Sequence, residues 1–392
     1  MDLEAMKGSP IGQLVPIEGF DQRTAKGFVH EAFLPDPLPM EVSLSASTWT
    51  LVARAEAALG RLDEASQQVP EPRLLREAAL RREAQSTSAL EGTFAPFEDV
   101  MEPELDDRAN LSSEVWEILN YVAAAEQAFA WIESRPVTSG LIAELQRTLV
   151  WGTAGELSDA GSLRDRQVVV GSPGSSVIEA RFVPPPPGDR LTAGVDQLMT
   201  WIREGRSDLP PVVRAALGHY QFETLHPFSD GNGRIGRLMI VLQLMRDGVL
   251  REPILVVSPW LEAKRSEYQD GLLDLSRDGD WDRWVEFFAT GIVEAADAFR
   301  KRIEVLLSWR DEVLEEVRAA GVVGVAERVA AELIGAPVLT ASRVARDHRV
   351  SHQGAMKALR RLVDIGLLVE SEGRISRRFA APRAMELLEF RF

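Results

Sequence analysis

Apolar residues recur every three or four positions along most of this chain, which is the spacing of amphipathic helices. The pattern predicts helices over residues 49–65, 72–90, 114–133, 138–150, 191–203, 211–225, 234–247, 259–275 and 281–314. Pro72 stands at the start of the second helix and Gly92 just beyond its end, the usual places for these residues. Residues 1–45 are proline-spaced and weakly periodic, and we expect an extended arm there. The expected fold class is therefore mainly α.

The stretch from residue 162 to residue 187 breaks the helical pattern. It contains the segments SLRDRQVVVG and ARFVPPPP, with the glycine- and serine-rich segment GSPGSS between them. The β-branched residues Val168, Val169 and Val170 favour a strand, and the four prolines favour a stiff extended support. We expect a β-hairpin over about residues 163–187.

Residues 321–392 show a different order of elements. The pattern predicts helices over 324–335, 340–350 and 351–366, followed by two short strands on either side of Glu372 and Gly373. Ser351 is expected to cap the third helix. Helix, short helix, longer helix and hairpin is the order found in a winged helix.

Composition limits the class of protein. A chain of 392 residues is long enough for two or three domains, and the absence of cysteine excludes disulfides and thiolate sites. No run of about 18 apolar residues is present, so we expect no membrane span. The N-terminal sequence MDLEAMKGSPIG lacks the basic start and apolar core of a signal peptide. We therefore expect a cytoplasmic protein.

Charge is distributed unevenly along the chain. The net charge is −16, which argues against a protein that coats nucleic acid over its whole surface. Residues 321–392 nevertheless contain 12 Lys and Arg against 8 Asp and Glu, a net charge of +4. This asymmetry indicates that the C-terminal region is a separate domain.

A dense polar cluster lies between two of the predicted helices, in the sequence TLHPFSDGNGRIGRLM at residues 224–239. His226 precedes a proline, which disfavours helical backbone at the histidine, so we expect the histidine in a loop. Gly231 and Gly233 permit positive φ angles and leave backbone amides uncovered at the start of the next helix. That helix end favours an anion.

Charged side chains complete an expected polyphosphate site. Arg234 and Arg237 are three positions apart and share one helical face, where their guanidinium groups can hold phosphates. Asp230 offers a hard oxygen ligand suited to Mg²⁺ that is shared with phosphates. His226 can act as a neutral base that takes a proton from an incoming hydroxyl, and that hydroxyl then attacks phosphorus.

The segment HPFSDGNGRIGR resembles the active-site motif of the Fic family, HPFx[DE]GNGRxxR, and matches it at every defined position. The segments RQVVVG and ARFVPPPP are similar to the flap of that family. The segment TSALEG, residues 87–92, is similar to its inhibitory motif, [ST]xxxE[GN]. The resemblance covers roughly residues 10–310, and a C-terminal winged helix is a common companion in bacterial members.

The resemblance implies transfer of AMP from ATP to a Ser, Thr or Tyr hydroxyl of a target protein. His226 would be the base and Asp230 would bind Mg²⁺, with Arg237 on the γ-phosphate. The implied ATP-binding residues are Gly231, Asn232, Gly233, Arg234, Ile235, Gly236 and Arg237. The sequence GNGR resembles members that transfer AMP more than the lysine-bearing members that phosphorylate.

The resemblance also implies three domains. Residues 1–110 would form an arm and helices carrying the inhibitory motif, 111–314 the catalytic core with its flap, and 315–392 the winged helix. The flap residues expected to pair with target backbone are Val168, Val169, Val170 and Gly171. Lys264 and Tyr268 are the candidates for the adenine pocket, where this chain has Tyr268-Gln269 and many members have two tyrosines.

The inhibitory motif contains Thr87, Glu91 and Gly92. A Glu91 carboxylate that reaches Arg237 would take the partner of the γ-phosphate, and we expect an ion pair between them and an autoinhibited resting state. The same glutamate could instead position a water that removes AMP from a modified target, and the sequence does not separate these roles.

Three functions follow from these patterns: an autoinhibited protein adenylyltransferase, a de-AMPylase that uses the same site, and a DNA-binding transcription regulator with a nucleotide-sensing core. DNA contacts are expected on the third C-terminal helix, from Ser351, His352, Gln353, Lys357, Arg360 and Arg361. The alternative for the C-terminal region is a small domain that only packs or forms a homodimer.

Overall fold

The computed structural model describes residues 1–392 except 22–25, 40, 70–71, 102–110, 133, 172–173, 205–207, 373–376 and 390–391. The first half of the element order is α1 (Leu3–Met6), β1 (Gly12–Asp21), β2 (Lys26–Pro35), α2 (Ala46–Gln67), α3 (Pro72–Leu90), α4 (Phe97–Met101), α5 (Ser113–Trp131), α6 (Ser139–Val150), α7 (Asp189–Glu204), α8 (Pro211–Leu225) and α9 (Asn232–Arg246). The second half is α10 (Ser258–Ala263), α11 (Arg265–Asp278), α12 (Trp281–Ala319), α13 (Val325–Glu332), β3 (Val338–Leu339), α14 (Ala341–His348), α15 (His352–Asp364), β4 (Val369–Glu372), β5 (Arg377–Ala380) and α16 (Pro382–Leu388). The fold is mainly α with small antiparallel sheets.

The chain forms two compact units. The first consists of Met1–Ala57, Ala123–Val249 and Lys264–Val293, and the second of Ala58–Val122, Leu250–Ala263 and Glu294–Phe392. The division into an N-terminal region, a core and a winged helix stays a prediction.

The helices agree closely with the apolar periodicity. The predicted helices 72–90 and 211–225 coincide with α3 and α8, and Thr138 caps α6 by accepting a hydrogen bond from the Leu141 amide at 3.1 Å. Residue 133, the predicted end of another helix, lies outside the described residues. The single helix expected over 259–275 is wrong, because α10 and α11 are separated at Lys264, where the backbone (φ −106°, ψ 25°) leaves the helical range.

In the first unit, the expected extended arm is instead a β-hairpin. Strands β1 and β2 pair antiparallel over ten residues each. Val15, Ile17 and Ala32 are buried in one apolar cluster with residues of the segment 177–183. The cross-strand pair Gly19 and Phe28 explains why the pattern was weak, since a Cβ at position 19 would lie 2.7 Å from the phenyl ring. The glycine removes an apolar position that the aromatic ring fills from the opposite strand.

The flap is much less regular than the hairpin that the sequence predicted. In the described part of residues 163–187, one isolated bridge joins Val170 to Phe182, through hydrogen bonds of 2.9 and 3.0 Å. The prolines that follow at 184–187 have no N–H to donate, so a ladder cannot continue along them. The tip at residues 172–173 lies outside the described residues.

In the second unit, α3 is a polar helix that is buried on nearly every side. Its buried residues include Arg81, Arg82 and Glu83 in consecutive positions. The Glu83 carboxylate accepts hydrogen bonds from the backbone N–H of Ser258, at 2.9 Å, and from the Ser258 hydroxyl, which fixes α3 against α10. Specific polar partners therefore hold this helix together with its buried apolar residues, which include Leu74, Leu75 and Leu80.

The C-terminal region has the helices and strands that its sequence predicted. Thr340 and Ser351 cap α14 and α15, accepting hydrogen bonds from the amides of Arg343 and Gly354. The sheet order is β3-β5-β4, all antiparallel, and its core includes Leu359 and Phe379. The predicted hairpin tip at Gly373 lies outside the described residues. Within the described ranges, no helix is both long enough and apolar enough to cross a bilayer.

Candidate active site

His226 occupies a strained backbone position at the end of α8. Its φ of 50° and ψ of 59° are left-handed, and its amide donates to the Phe222 carbonyl at 2.9 Å, which closes the helix. Among the described residues, His226 and Arg349 are the non-glycine residues with positive φ. Such a conformation costs about 1–2 kcal/mol, so the surrounding structure must impose it.

The imidazole ring of His226 is oriented by the helix it follows. Its Nδ1 lies 3.2 Å from the carbonyl oxygen of Glu223, and the residue is half-buried. If Nδ1 carries the proton and donates it to that oxygen, Nε2 keeps its lone pair and can accept a proton. This arrangement fits the predicted role of His226 as a base.

The loop between α8 and α9 is closed by Asn232. The side-chain oxygen of this buried residue accepts from the Phe228 amide at 2.8 Å, and its side-chain NH₂ donates to the Phe228 carbonyl at 2.8 Å. The amide group therefore shapes the loop. A phosphate contact from position 232 would come from the backbone N–H in the first turn of α9, whose amides have no partner within the helix.

Glycines let the backbone pass close to neighbouring segments here. Gly231 precedes α9 with a φ of 84°, and a Cβ at this position would lie 2.7 Å from Leu149. At Gly236, a Cβ would lie 2.3 Å from the Glu223 carboxylate oxygen, so α8 and α9 cross in close contact. Replacing either glycine by a residue with a side chain would push the start of α9 away from His226.

The two arginines of the motif are almost completely buried. Arg234 is 3% exposed and Arg237 is 2% exposed. A guanidinium nitrogen of Arg234 lies 2.9 Å from a carboxylate oxygen of Asp230, whose side chain is 40% exposed. The Asp230 carboxylate is therefore accessible to solvent and is oriented by its ion pair with Arg234. Positive charge and helix-end amides are concentrated beside His226, which is the environment that a polyphosphate requires.

Arg164 is a site residue that the sequence did not single out. It is 2% exposed, and no carboxylate pairs with it among the described residues. Its side chain donates to four carbonyl oxygens, those of Pro185 (2.6 Å), His226 (2.8 Å), Arg166 (3.0 Å) and Leu225 (3.4 Å). Its backbone amide also donates to Pro227, at 3.0 Å. Burial lowers the pKa of Arg164 to about 10.

These contacts make Arg164 the link between the flap and the histidine loop. The only sequence signal was an arginine placed just before the valine run, which is indistinguishable from a surface charge without the fold. A second link comes from Gln146, which is buried and donates to the Asp230 carbonyl at 3.1 Å while accepting from the Gly161 amide at 2.7 Å.

The adenine candidates lie in different environments. Tyr268 is 4% exposed, and its hydroxyl is 2.8 Å from Nε2 of the buried His219. Nδ1 of His219 is 3.2 Å from the Gly236 carbonyl, and burial, followed by the charge of Arg237, lowers the pKa of His219 to about 3. The tyrosine thus belongs to a neutral hydrogen-bonded core, whereas Lys264 is exposed and pairs with Glu267 at 3.0 Å. An adenine contact from either residue stays a prediction.

The predicted inhibitory motif forms the end of α3. Thr87 is buried in the last turn, and the turn closes with hydrogen bonds from the Glu91 and Gly92 amides to Ser88 and Ala89. Gly92 has a φ of 96°, which favours glycine. Glu91 is exposed. Because Glu91 belongs to the second unit and Arg237 to the first, the ion pair between them stays a prediction.

The predicted target-docking residues surround the single bridge of the flap. Val170 uses both its backbone N–H and its C=O to pair with Phe182. In an antiparallel pair, the flanking residues Val169 and Gly171 direct their backbone groups to the opposite side. The Val168 carbonyl accepts from the Gln167 side chain at 3.0 Å. The edge left for a further strand is therefore formed by Val169 and Gly171.

Comparison with known proteins identifies two regions of this chain. Residues 136–244 match the model of the Fic/DOC family, and residues 49–130 match the model of the Fic/DOC family N-terminal region. The proteins named protein adenylyltransferase Fic of Drosophila willistoni and Drosophila melanogaster are 35% and 34% identical to this chain over 142 residues. That stretch is 36% of this chain and 25% of each relative, so the chain matches about a quarter of their length.

Solved structures share the fold. A Fic family protein from Desulfovibrio desulfuricans G20 superposes with a TM-score of 0.55 at 22% identity, covering 87% of this chain and 97% of that one. Residues 134–508 of Fic-1 from C. elegans superpose with a TM-score of 0.50 at 20% identity, covering 67% and 73%.

Substituting Arg164 by alanine should destabilise the first unit. The change leaves several buried carbonyl oxygens without a donor, and we expect a loss of about 3 kcal/mol in the free energy of unfolding. Urea unfolding measures it. Arg166→Ala is the matched control, because Arg166 is exposed and makes surface ion pairs worth about 0.5 kcal/mol. Equal losses in the two variants would contradict the linking role of Arg164.

The buried His219 should make stability fall in acid. Its pKa is about 3 in the folded chain and about 6.5 when unfolded, so the unfolded chain binds a proton that the folded chain refuses. The contribution of the neutral His219 to the free energy of unfolding is complete above pH 6.5 and is lost as pH falls toward 3. At pH 5 the loss is about 2 kcal/mol.

Urea unfolding at pH 7 and pH 5 checks this expectation. His219→Asn should show a smaller difference between the two pH values than the unsubstituted chain. His352→Asn, which alters an exposed histidine, should leave the difference unchanged. A difference that is the same in all three proteins would show that His219 does not cause it.

Proposed function

This chain carries the Fic/DOC N-terminal domain and the Fic/DOC domain, and from that premise we propose that it is a protein adenylyltransferase. It would transfer AMP from ATP to a Ser, Thr or Tyr hydroxyl of a target protein. One observation carries the proposal: a single loop brings an oriented histidine, an uncapped helix N-terminus and two buried arginines together. The activity named for the Drosophila relatives supports the same choice.

The proposed reaction is a direct displacement at the α-phosphorus. Nε2 of His226 takes the proton of the target hydroxyl, and that oxygen forms a bond to the α-phosphorus. The bond from the α-phosphorus to its bridging oxygen breaks, and pyrophosphate leaves. The helix-end amides and Arg234 hold the negative charge of the phosphates, with Arg237 on the γ-phosphate. Fixed geometry and charge supply the rate, and no covalent enzyme intermediate is needed.

Magnesium would be held jointly by the protein and the nucleotide. The described residues contain no cluster of three or more His, Asp or Glu side chains that could hold a metal ion alone. One accessible carboxylate, Asp230, beside a phosphate site is the donor set that Mg²⁺ uses when substrate phosphates complete its shell. When bound, the ion would neutralise charge that develops on the leaving pyrophosphate.

Target docking and inhibition complete the proposal. The free edge at Val169 and Gly171 would pair with target backbone and steady the acceptor hydroxyl, with little dependence on target sequence. Glu91 would pair with Arg237 in the resting state and so displace the γ-phosphate into a non-productive position. The exposure of Glu91 at the end of an otherwise buried helix is consistent with a reach toward another segment.

Incubation of the full chain with α-labelled ATP and Mg²⁺ tests the activity. We expect label on the protein itself, at a low rate in the unsubstituted chain. His226→Ala should lower the rate by at least about 100-fold, because general-base catalysis is lost. His352→Ala is the matched control and should keep the full rate. Retention of label transfer in His226→Ala would remove the proposed base.

The same assay decides the role of Glu91. Glu91→Gly should raise self-modification by about tenfold or more, since the competitor of the γ-phosphate is gone. Equal rates would exclude autoinhibition by this residue. If Glu91 instead positions a water, the unsubstituted chain should release AMP from a modified target, and Glu91→Gly should lose that release.

We also propose a second function, binding of duplex DNA by the C-terminal region as a winged helix. One observation favours it: the solvent side of α15 contains Ser351, His352, Gln353, Lys357 and Arg360, all exposed. Neither Lys357 nor Arg360 has an ion-pair partner among the described residues, whereas Arg346, Arg377 and Arg383 in the same region all do. The Arg361 guanidinium donates a hydrogen bond to the Gly321 carbonyl at 2.9 Å.

Fluorescence anisotropy with a labelled duplex tests DNA binding. The full chain should bind a duplex of about 25 base pairs with a micromolar Kd at low salt, weakening steeply as salt rises. Reversing the charge of both exposed cations of α15, in the double variant Lys357→Glu with Arg360→Glu, should lower the affinity for the duplex by about tenfold or more. The control Arg328→Glu with Arg383→Glu makes the same net charge change on α13 and α16.

Equal losses in the two double variants would assign any binding to overall charge rather than to α15. Equal competition by duplex RNA would exclude groove recognition of DNA. Absence of binding at low salt would leave packing or dimerisation as the role of this region.

A further inference from the structure

Two buried arginines of the C-terminal region reach carboxylates outside it, although Arg343 also pairs with Asp347 of its own helix at 3.3 Å. Arg343 of α14 and Arg378 of β5 are 8% and 7% exposed. Their neighbours Arg346 and Arg377 are exposed and pair with carboxylates inside the region, Asp347 and Glu370. The buried pair behaves differently, because each member also reaches a carboxylate of a helix that lies far earlier in the chain.

Arg343 reaches α3, the helix that ends in the predicted inhibitory motif. A guanidinium nitrogen lies 3.2 Å from a carboxylate oxygen of Glu77. The backbones also touch nearby, since a Cβ at Gly335 would lie 2.3 Å from the Leu74 carbonyl oxygen. Any side chain at position 335 would force α3 and the C-terminal region apart.

Arg378 reaches α4, the next helix after the inhibitory motif. Its guanidinium lies 3.2 Å from Asp99 and 3.6 Å from Glu98. Arg81 joins the two contacts, because it pairs with Glu77 at 3.4 Å and donates to the carbonyl of Val100, beside Asp99. The polar network therefore runs from α14 through α3 and α4 to β5.

The segment between these anchors contains Glu91. It runs from Glu77 to Asp99 and includes the end of α3, the turn at Gly92 and the start of α4. Both of its ends are held by the C-terminal region, and between them Glu83 is held by Ser258. The position of the turn is thus determined at both sides by charges in a buried, low-dielectric environment, where loss of one partner has a large effect.

We infer that Arg343 and Arg378 are positioning residues for the inhibitory segment, so that the C-terminal region acts as a latch on α3 and α4. The inference rests on the proposed inhibition by Glu91. Releasing the latch gives the segment freedom to leave the resting position and raises the basal rate of adenylylation. The residues touch neither nucleotide nor target, and their effect passes through Glu91.

Adjacent residues offer matched controls. Arg343→Ala and Arg378→Ala should each raise self-modification with α-labelled ATP by about fivefold, the size of a typical coupling between sites. Arg346→Ala and Arg377→Ala, one on α14 and one on β5, should leave the rate unchanged. In the Glu91→Gly background, Arg343→Ala should add no further increase, since the group that it positions is absent.

Amide hydrogen exchange gives a readout that does not depend on activity. Exchange at residues 83–92 should be faster in Arg343→Ala than in Arg346→Ala, with exchange in the first unit unchanged. The conservative variant Arg343→Lys keeps a positive charge beside Glu77 and Asp347, so it should show slower exchange and a lower basal rate than Arg343→Ala. If Arg343→Ala does not fold, the comparison of Arg378→Ala with Arg377→Ala carries the test.

Outcomes separate the latch from the proposed inhibition. If Glu91→Gly activates the chain but neither buried-arginine variant does, the latch is wrong and the inhibition stands. If Glu91→Gly has no effect on the rate, the proposed inhibition by Glu91 is wrong. Hydrogen exchange at residues 83–92 then decides alone whether Arg343 and Arg378 position the segment. Unchanged exchange at residues 83–92 in both Arg343→Ala and Arg378→Ala overturns the latch in every case.

Discussion

The candidate active site depends on one buried guanidinium that is surrounded by carbonyl oxygens. The Arg164 side chain joins the end of α8 and the adjoining loop at His226 to the proline run of the flap. Burial lowers its pKa, so the charged form is stable there only while its N–H groups have acceptors. The same contacts hold His226 in a left-handed conformation that its side chain disfavours. The hydrogen bonds of Arg164 therefore offset both the cost of burying its charge and the cost of the strained backbone at His226.

Contacts within the protein fix the backbone of the proposed anion site beside it. Asn232 closes the loop on Phe228, Gly231 allows α9 to start close to Leu149, and Gly236 brings α9 against α8. None of these contacts involves a phosphate. Donors that are fixed in advance need no reorganisation when negative charge develops, and this is the condition under which they are most effective.

Apolar periodicity together with proline at the helix start predicted the helices α3 and α8 well: α3 begins at Pro72 and α8 at Pro211, and both have their predicted bounds. The backbone of the motif was also predictable: His226 follows the last residue of α8, as the proline after it predicts, and α9 begins at Asn232, close to the predicted residue 234. The hairpin β1–β2 was missed because Gly19 leaves an apolar position empty for Phe28 to fill across the strands. Arg164 was missed because its partners are backbone oxygens, and a sequence gives no sign of which carbonyls a side chain will reach.

The helix α3 shows how composition can determine the way a segment is controlled. A helix with one apolar face is held by burial of area, a force that weakens gradually and tolerates sliding. In α3, apolar burial is joined by a second restraint, because Arg81, Arg82 and Glu83 are buried among specific polar partners. A buried polar network is stable only while all its hydrogen bonds are formed, and breaking one of them costs free energy. The helix therefore has one well-defined position rather than a range of positions. An element of this kind can be displaced only by altering its partners, and those partners come from α10, α4 and the C-terminal region.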